Sequence, residues 1–548
     1  MVVVPALVYV NMVEQEKRLL RFLQILLSLV MVRKNVKNRV CQNHLPFWLD
    51  AFGIPFDNIC SMNYIKLNPQ YTVRNEKCCS FIVKLEKQID KGVKEISRDV
   101  FVVPSVVGFI LAEIGKDMES ASLGKLSLSL GINIAIIEHF VHNLIGKKES
   151  KITYNNQTFI IPTHLLVYST YKDERCYHFE KGFSPFDKFV NKRPVVPFNV
   201  GIMVTTACST NCIYCYAKRS HKISMPLQTI KKIIDECHDI GVSNVALTGG
   251  DVFARKDWHE LLAYTISKGY YPFLSTKTPL TENDVKYLKE IGINKLQFSL
   301  DSIDSSLLKV MIGSTCTYVE RVRQMFLNCL QYGVHLNIRS VITIHNGTVN
   351  NFSDLHAFLS HFDNITDWEI TPAFYSEFKE EYKDYTPRND QLASVSSYVE
   401  AQKGRFPIFL NKINRCGYQL KRFKTVEDFV KNNQICHAGN YMLSILATGI
   451  CTPCEMLYDN PDFVLGNIYG STLKNIWNSP KALSVCAFSQ IDEMETLSPC
   501  KQCKVLDICR KSIDRRICFV DISKTLGKGY SGYPDPRCPK STVTGYIL

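Results

Sequence analysis

From about residue 200 to 376 the apolar positions fall into a repeated rhythm of short strand, then amphipathic helix. The strand candidates are "GIMVTTA", "NVALTGG", "YPFLSTKT", "KLQFSLDS", "HLNIRSVIT" and "DWEITPA", each a compact apolar or alternating run. Between them, stretches such as "LQTIKKIIDECHDIG", "WHELLAYTISKG", "ENDVKYLKEIG" and "YVERVRQMFLNCLQYG" place apolar residues three and four apart. Strands separated by helices predict a parallel sheet, here six-stranded and curled into a partial (β/α)6 barrel within an α/β chain. In such a sheet chemistry sits at the C-terminal ends of the strands.

The flanking regions follow other patterns. From Tyr64 to Lys172, "YTVRN" and "CSFIVKLE" alternate as short strands, and "FVVPSVVGFILAEIG" reads as a strand running into a helix near Pro104. "LGKLSLSLG" and "NIAIIEHFVHNLIG" add two helical segments closed by glycine, and "KITYNNQTFIIP" reads as a hairpin about Asn-Asn. Three helices and a hairpin are the element order of a winged helix. Beyond about Arg415 the chain is cysteine-rich and glycine-punctuated, with little helical periodicity after "LKNIWNSPKAL". Such a segment needs cysteine ligation in addition to an apolar core. The expected organisation is an N-terminal extension over 1–63, a winged helix over 64–172, a linker over 173–199, the barrel over 200–414 and a cysteine-rich domain over 415–548.

Near the N-terminus, "LLRFLQILLSLVMV" suggests a membrane anchor, but Arg21 leaves only the 11 uncharged residues Phe22 to Val32. That is too short to span a bilayer, so an amphipathic helix and no membrane span are expected. The 548 residues and 46% hydrophobic content fit a multi-domain soluble protein, expected in the cytoplasm. Lys and Arg exceed Asp and Glu by 13, a mild excess that suits either an acidic partner or an ordinary basic surface. Twenty-one cysteines in a chain of this size point to metal or redox ligation in a reducing compartment, since disulfide scaffolds are short.

The sharpest signal is "ACSTNCIYCY", in which Cys208, Cys212 and Cys215 follow the first barrel strand with Cys-x3-Cys-x2-Cys spacing. Three thiolates can hold three corners of a [4Fe–4S] cube and leave the fourth iron for a substrate-like molecule. A structural zinc would need a fourth ligand, for which His221 is the close candidate, and such ligands usually come as two paired clusters.

This motif at the end of a first barrel strand resembles the radical S-adenosylmethionine (SAM) enzymes. The resemblance implies that SAM chelates the unique iron through its amino and carboxylate groups. It also implies that Tyr214 contacts adenine, and that Gly249, Gly250 and Asp251 in "TGGD" receive the SAM amino group where the family has Gly-Gly-Glu. Ser299 and Asp301 in "FSLDS" resemble the ribose contacts, and Arg339 in "NIRSV" resembles the partner of the SAM carboxylate. The implied chemistry is reductive cleavage of SAM to methionine and a 5′-deoxyadenosyl radical that abstracts hydrogen from unactivated carbon, with an electron donor such as flavodoxin or ferredoxin.

Further on, Cys436, Gly449 and Cys454, then Cys500-x2-Cys503-x5-Cys509, Cys518 and Cys538 resemble the SPASM extension of peptide-modifying radical SAM enzymes. Its usual next cysteine falls at Ile513, and Cys518 is the expected substitute. Two fully ligated auxiliary [4Fe–4S] clusters need about eight thiolates. These positions supply seven, with Cys451, Cys416 or an open iron for the eighth. Cys500 and Cys503 alone would also suit a zinc ribbon.

Residues 64–172 resemble the leader-peptide recognition element of ribosomal peptide biosynthesis, which binds its leader as an added strand. No DNA contact is expected, because "NIAIIEHFVHNLIG" carries no Lys or Arg. The expected function is a maturase that modifies a ribosomally made precursor peptide, forming a thioether or carbon–carbon crosslink. The alternatives are a SPASM-type maturase oxidising a Cys or Ser of a protein, a nucleic-acid-modifying relative, and a non-catalytic peptide-binding iron–sulfur protein.

Overall fold

The computed structural model describes residues 64–85, 100–114, 120–145, 150–215, 222–373, 385–410, 423–487 and 498–542, apart from a few single positions. The N-terminal helix read in 1–63, His221 and Cys416 lie outside the described residues.

The first module begins with β1 (Tyr64–Leu67), β2 (Tyr71–Glu76), β3 (Cys79–Lys84) and β4 (Val100–Val103). Helices α1 (Ser105–Ile114), α2 (Ser120–Leu130) and α3 (Ile134–Ile145) follow, then the hairpin β5 (Ser150–Tyr154) and β6 (Gln157–Ile161), β7 (Leu166–Ser169) and β8 (His178–Phe179). The three helices and hairpin thus occur in the order read from the sequence. The helical stretches Leu123–Leu130 and Ile134–Ile145 are bent by 120°, a helix-turn-helix angle. The main sheet runs β4-β3-β2-β8, and β1 pairs with β7.

This sheet is buried on both faces, so the five residues Cys79 to Val83 of β3 are buried in succession where a half-exposed strand would alternate. Val73, Ile82, Phe101 and Val103 pack with the helices. Cys79, Phe81, Val83 and Val100 pack on Phe198, Tyr441 and Ile513 from the rest of the chain, with the Phe81 and Phe198 rings 5.0 Å apart.

Residues 173–199, read as a linker, are tied down by side-chain and backbone bonds. Arg175 donates to Leu67 O at 2.6 Å and Tyr71 O at 2.9 Å while Asp173 holds it at 2.6 Å. Further on, Arg193 lies 3.4 Å over the Trp477 ring, and Trp477 Nε1 donates to Pro194 O at 2.9 Å. A half-buried guanidinium stacked on indole fixes this segment against the C-terminal region.

The barrel strands are β9 (Asn199–Thr205), β10 (Asn244–Gly249), β11 (Ser275–Thr276), β12 (Lys295–Ser299), β13 (His335–Ile342), β14 (Ile365–Pro372) and β15 (Ile408–Leu410). Helices α4 (Leu227–Asp239), α5 (Trp258–Ser267), α6 (Glu282–Glu290), α7 (Ser305–Ile312), α8 (Tyr318–Gln331), α9 (Val349–Leu359) and α10 (Asn389–Ala401) connect them. Local signals place these helices: Thr281 and Asp284 form a capping box at α6, and Asp304 caps α7. The pairs β9–β10 and β11 through β15 are parallel. One extended apolar cluster fills the space inside and under the strands.

Two features depart from the expected six-stranded ladder. The sheet divides between β10 and β11, because only two residues of the third segment pair as strand. Side chains span the break: Asp251 accepts hydrogen bonds from Thr276 at 2.6 Å and Thr278 at 2.7 Å. Secondly, the C-terminal region enters the barrel sheet. After α11 (Val426–Asn432), β16 (Met442–Ile445) lies parallel to β9 on the side away from β10. β17 (Ile450–Thr452) and β18 (Gly466–Asn467) extend it antiparallel. The division at residue 415 is therefore a boundary in composition and not in the sheet. Helices α12 (Leu473–Trp477), α13 (Pro480–Ala487) and α14 (Phe519–Leu526) complete the region. Among the described residues no single helix is long and apolar enough to cross a membrane.

Candidate active site at the strand ends

β9 ends at Thr205, and the chain then turns across the top of the barrel. Backbone bonds build this turn: Thr206 N donates to Ile223 O at 2.8 Å, Asn211 N to Ile312 O at 2.8 Å and Ile213 N to Met311 O at 2.9 Å. The loop is thereby held at one end by the strand and at the other by the C-terminus of α7, whose last carbonyls need partners. Cys208, Cys212 and Cys215 all lie on it, and none is in a disulfide. The Thr210 hydroxyl is 3.6 Å from the Cys208 sulfur and 3.4 Å from that of Cys212. Burial raises the Cys212 thiol above its ordinary range, opposed by the nearby Lys277 ammonium and the Thr210 bond. A metal would have to displace that proton.

The two glycines of "TGGD" answer a backbone demand. Gly249 has φ +152°, and a Cβ on Gly250 would meet Ala207 O closer than 3.0 Å, where real Cβ atoms do not sit. With no side chain there, Gly250 N reaches Thr205 O at 2.7 Å and Asp251 N reaches Ala207 O at 2.8 Å. The end of β10 is thus laced to the cysteine loop. Asp251 is fully enclosed by donors, with Phe253 N at 2.9 Å in addition to Thr276 and Thr278. Burial pushes its carboxyl up, and those hydrogen bonds pull the other way.

Asp301 is the hub of the site. Its carboxylate accepts from the Tyr214 hydroxyl, from Lys277 Nζ at 2.8 Å and from Val341 N at 2.7 Å. Its backbone carbonyl accepts from Asn346 at 2.9 Å and Asn351 at 3.1 Å. Tyr214, lying in the motif between Cys212 and Cys215, is buried, and burial holds its phenol protonated. Ser299 is adjacent, its carbonyl 3.4 Å from Lys277 Nζ. Arg339, expected at a SAM carboxylate, is engaged by Asp367 and by Glu369 at 2.9 Å.

Lys277, Thr276, Thr278 and Thr210 were not singled out from the sequence. The available signal was "STKT" at a strand end, a lysine between two hydroxyls where a barrel presents its chemistry.

In the C-terminal region Cys500, Cys503, Cys509 and Cys538 line one small cavity, with Val426, Phe429 and Ile517 among the apolar walls. Burial pushes the Cys509 thiol up to about 12 and that of Cys538 to about 11. Cys509 lies on the π-helical turn Asp507–Lys511, a distortion common at functional positions. Cys436, Cys454 and Cys518 are not among that cavity's lining residues. Their segments lie nearby, through Cys436 N to Arg515 O at 2.7 Å and Cys518 N to Asp535 Oδ2 at 2.9 Å. Cys451 is fully buried and packs in the apolar cluster of the barrel, away from the residues that line this cavity. Ile513, where the SPASM pattern has cysteine, packs on Phe81 and Tyr441 in the joint with the first module. Among the described residues no three Cys, His, Asp or Glu converge closely enough to hold a single ion.

Comparison with known proteins agrees with this arrangement. Residues 202–361 match the Radical SAM superfamily, and residues 436–504 match the SPASM iron–sulfur cluster-binding domain. The chain is 28% identical over 199 residues to the Fe-coproporphyrin III synthase of Methanosarcina barkeri, covering 36% of this chain and 43% of that protein. It is 22% identical over 275 residues to a probable GTP 3′,8-cyclase of Methanothermobacter thermautotrophicus, covering 49% of this chain and 87% of the other. The chain thus spans less than half the length of the first of these relatives. In fold it is similar to Streptococcus suis SuiB bound to SAM, with TM-score 0.53, 15% identity, and 86% of this chain and 100% of that one covered. With SuiB bound to precursor peptide SuiA the TM-score is 0.56 at 16% identity, covering 87% and 100%. The chain therefore carries a region that matches the Radical SAM superfamily and a region that matches the SPASM domain, in a fold similar to that of SuiB. A Radical SAM domain implies SAM and a [4Fe–4S] cluster, and the cysteine-rich C-terminus suits auxiliary iron–sulfur clusters.

Proposed function

We propose that the chain is a maturase acting on a ribosomally synthesised precursor peptide, and that it joins two residues of that peptide in a thioether or carbon–carbon crosslink. The observation that carries this reading is the association of the strand-end cysteine site with an N-terminal three-helix and hairpin module, in a fold that covers SuiB along its whole length. A sulfatase-type maturase needs no such module.

Cys208, Cys212 and Cys215 are the residues that would hold the site cluster, and their fit rests on three unbridged thiols on one prebuilt loop. When bound, the reduced cluster and SAM supply a 5′-deoxyadenosyl radical, which takes a hydrogen atom from the peptide. The protein's own part is placement. Gly249 and Gly250 let backbone approach the cysteine loop, Asp251 closes the gap between the two sheets, and Asp301 with Asn346 and Asn351 fixes the floor on which Tyr214 stands. The burial of these groups excludes water and stray hydrogen donors. Cys500, Cys503, Cys509 and Cys538 would hold one auxiliary cluster, with Cys436, Cys454 and Cys518 contributing to another. The first module would bind the leader, and a flavodoxin or ferredoxin would deliver the electron.

The test is anaerobic incubation of reconstituted, reduced protein with SAM and the short peptide encoded beside its gene. The expected products are 5′-deoxyadenosine and a peptide lighter by two hydrogens. Formation of 5′-deoxyadenosine with oxidation of a Cys or Ser on a folded protein substrate would overturn the crosslinking assignment.

A further inference from the structure

We infer that Lys277 is the cation that sets the reduction potential of the cluster held by Cys208, Cys212 and Cys215, with Asp301 as its counterweight. This rests on the reading that those three cysteines hold the site cluster.

The position of Lys277 is built, not incidental. Its side chain is only 12% exposed. Its neighbours Thr276 and Thr278 both bond Asp251, and its own carbonyl accepts from the Tyr318 hydroxyl at 2.8 Å, so the backbone on either side is anchored. The ammonium bonds Asp301 at 2.8 Å and sits 5.6 Å from the centre of the Tyr214 ring, the residue immediately before Cys215. Arg339, another cation at these strand ends, is matched by two carboxylates, whereas Lys277 shares a single carboxylate with a tyrosine and a backbone amide.

A cube held by thiolates is anionic and takes on a further negative charge when reduced. Net charge and burial are among the terms that set its potential. A fixed positive charge in a low-dielectric surrounding favours the reduced form, and a fixed negative charge disfavours it. The Lys277 segment touches the cysteine loop directly, with the Thr278 and Ser209 hydroxyls 2.8 Å apart, and the charges of Lys277 and Asp301 are opposite. Lys277 and Asp301 should therefore act with opposite signs.

The experiment is an EPR-monitored titration with Ti(III) citrate of the full, anaerobically reconstituted chain, following the signal that changes when SAM is added. Lys277→Met should make one-electron reduction at least tenfold less favourable, about 59 mV lower. Lys277→Arg should stay within about threefold of wild type, and Asp301→Asn should shift the equilibrium in the opposite direction. If Lys277→Met fails to retain its iron, Lys277→Gln, which keeps a donor to Asp301 without the charge, takes its place. An unchanged potential in the uncharged variant, with the SAM-responsive signal retained, overturns this role alone. So does a shift of the same sign in Asp301→Asn. A wild-type protein with no SAM-responsive cluster would overturn the functional reading as well.

Discussion

Replacing Arg74 by Met tests how the first module is keyed to the barrel. Arg74 on β2 bonds Glu76 at 2.9 Å, and its other end donates to the carbonyls of Ile240 at 3.2 Å and Gly241 at 3.0 Å just past α4. Glu76 also accepts from Val195 N at 3.1 and 3.2 Å and lies 3.8 Å from Lys192. The two side chains are 5% and 0% exposed. Burial is the largest influence on both: it pulls Arg74 below its ordinary range and pushes Glu76 above its own. Each charge therefore costs more to bury than its partner returns, so the pair fixes orientation more than it stabilises. Removing one partner should cost at the lower end of 3–5 kcal/mol, about 3 kcal/mol, because Val195 N and Lys192 still serve Glu76. That is roughly a 150-fold rise in local opening. The double change Arg74→Met with Glu76→Leu should fall within about 1 kcal/mol of wild type. The pH dependence has a definite sign. A carboxyl whose folded value lies above its unfolded one favours the fold below the unfolded value, and this advantage fades as pH rises through the folded value. The penalty in Arg74→Met should therefore be larger at pH 8 than at pH 5. Native-state hydrogen exchange of the β2 and β3 amides measures the opening directly, which suits a multi-domain chain whose bulk denaturation is not two-state. An opening increase below about tenfold in the single variant, or equal losses in the single and double variants, would refute the reasoning.

Three further outcomes follow from the sites. Reconstituted protein should hold about 12 irons, falling by about 4 when Cys208, Cys212 and Cys215 become Ala; zinc in place of the remaining iron would mean that the late cysteines form structural zinc sites. Gly250→Ala should weaken SAM binding at least about tenfold by calorimetry, since the new Cβ forces β10 away from Ala207 and the cysteine loop at about 1–3 kcal/mol; unchanged affinity would show that this close approach does not shape the site. Loading of the late cavity requires protons to leave thiols that burial has raised to about 12 and 11, so iron retained there against a chelator should decrease as pH falls from about 9 to 7, and a flat profile would contradict this.

The barrel was legible because its strands and helices obey separate periods and its helices announce their starts, as Thr281 and Asp304 do. The three-cysteine motif was legible because its spacing is local. What escaped the sequence was relational. "STKT" reads as a polar strand end, and only the fold shows that its threonines bond Asp251 across a gap while its lysine turns to Asp301. Arg339 read as an available cation, because nothing in "NIRSV" announces that Asp367 and Glu369 stand on the neighbouring strand. Spacing alone could not place Cys451, which the fold puts in the apolar cluster of the barrel. The bonding of 173–199 was not legible, because contacts made through a half-buried Arg, a buried Asp and backbone carbonyls have no periodic signature.

The place of β16 changes how the two cysteine regions relate. Cys208 and Cys500 are 292 residues apart in sequence, yet β9, which carries the chain to Cys208, is flanked by β10 and by β16. Met442 through Ile445 pair in register with Asn199 through Ile202, so the C-terminal region shares hydrogen bonds with the strand that delivers the first cysteines. The late cavity itself draws its apolar walls from another cluster, built on Val426, Phe429, Ile517 and Phe519. Losing ligands there should loosen that cluster before it reaches β16, whose Leu443 and Ile445 belong to the barrel core. The strand that delivers the first cysteines is thus fixed by a shared ladder while the late cavity is packed by a separate cluster, so a change in one region can leave the geometry of the other in place.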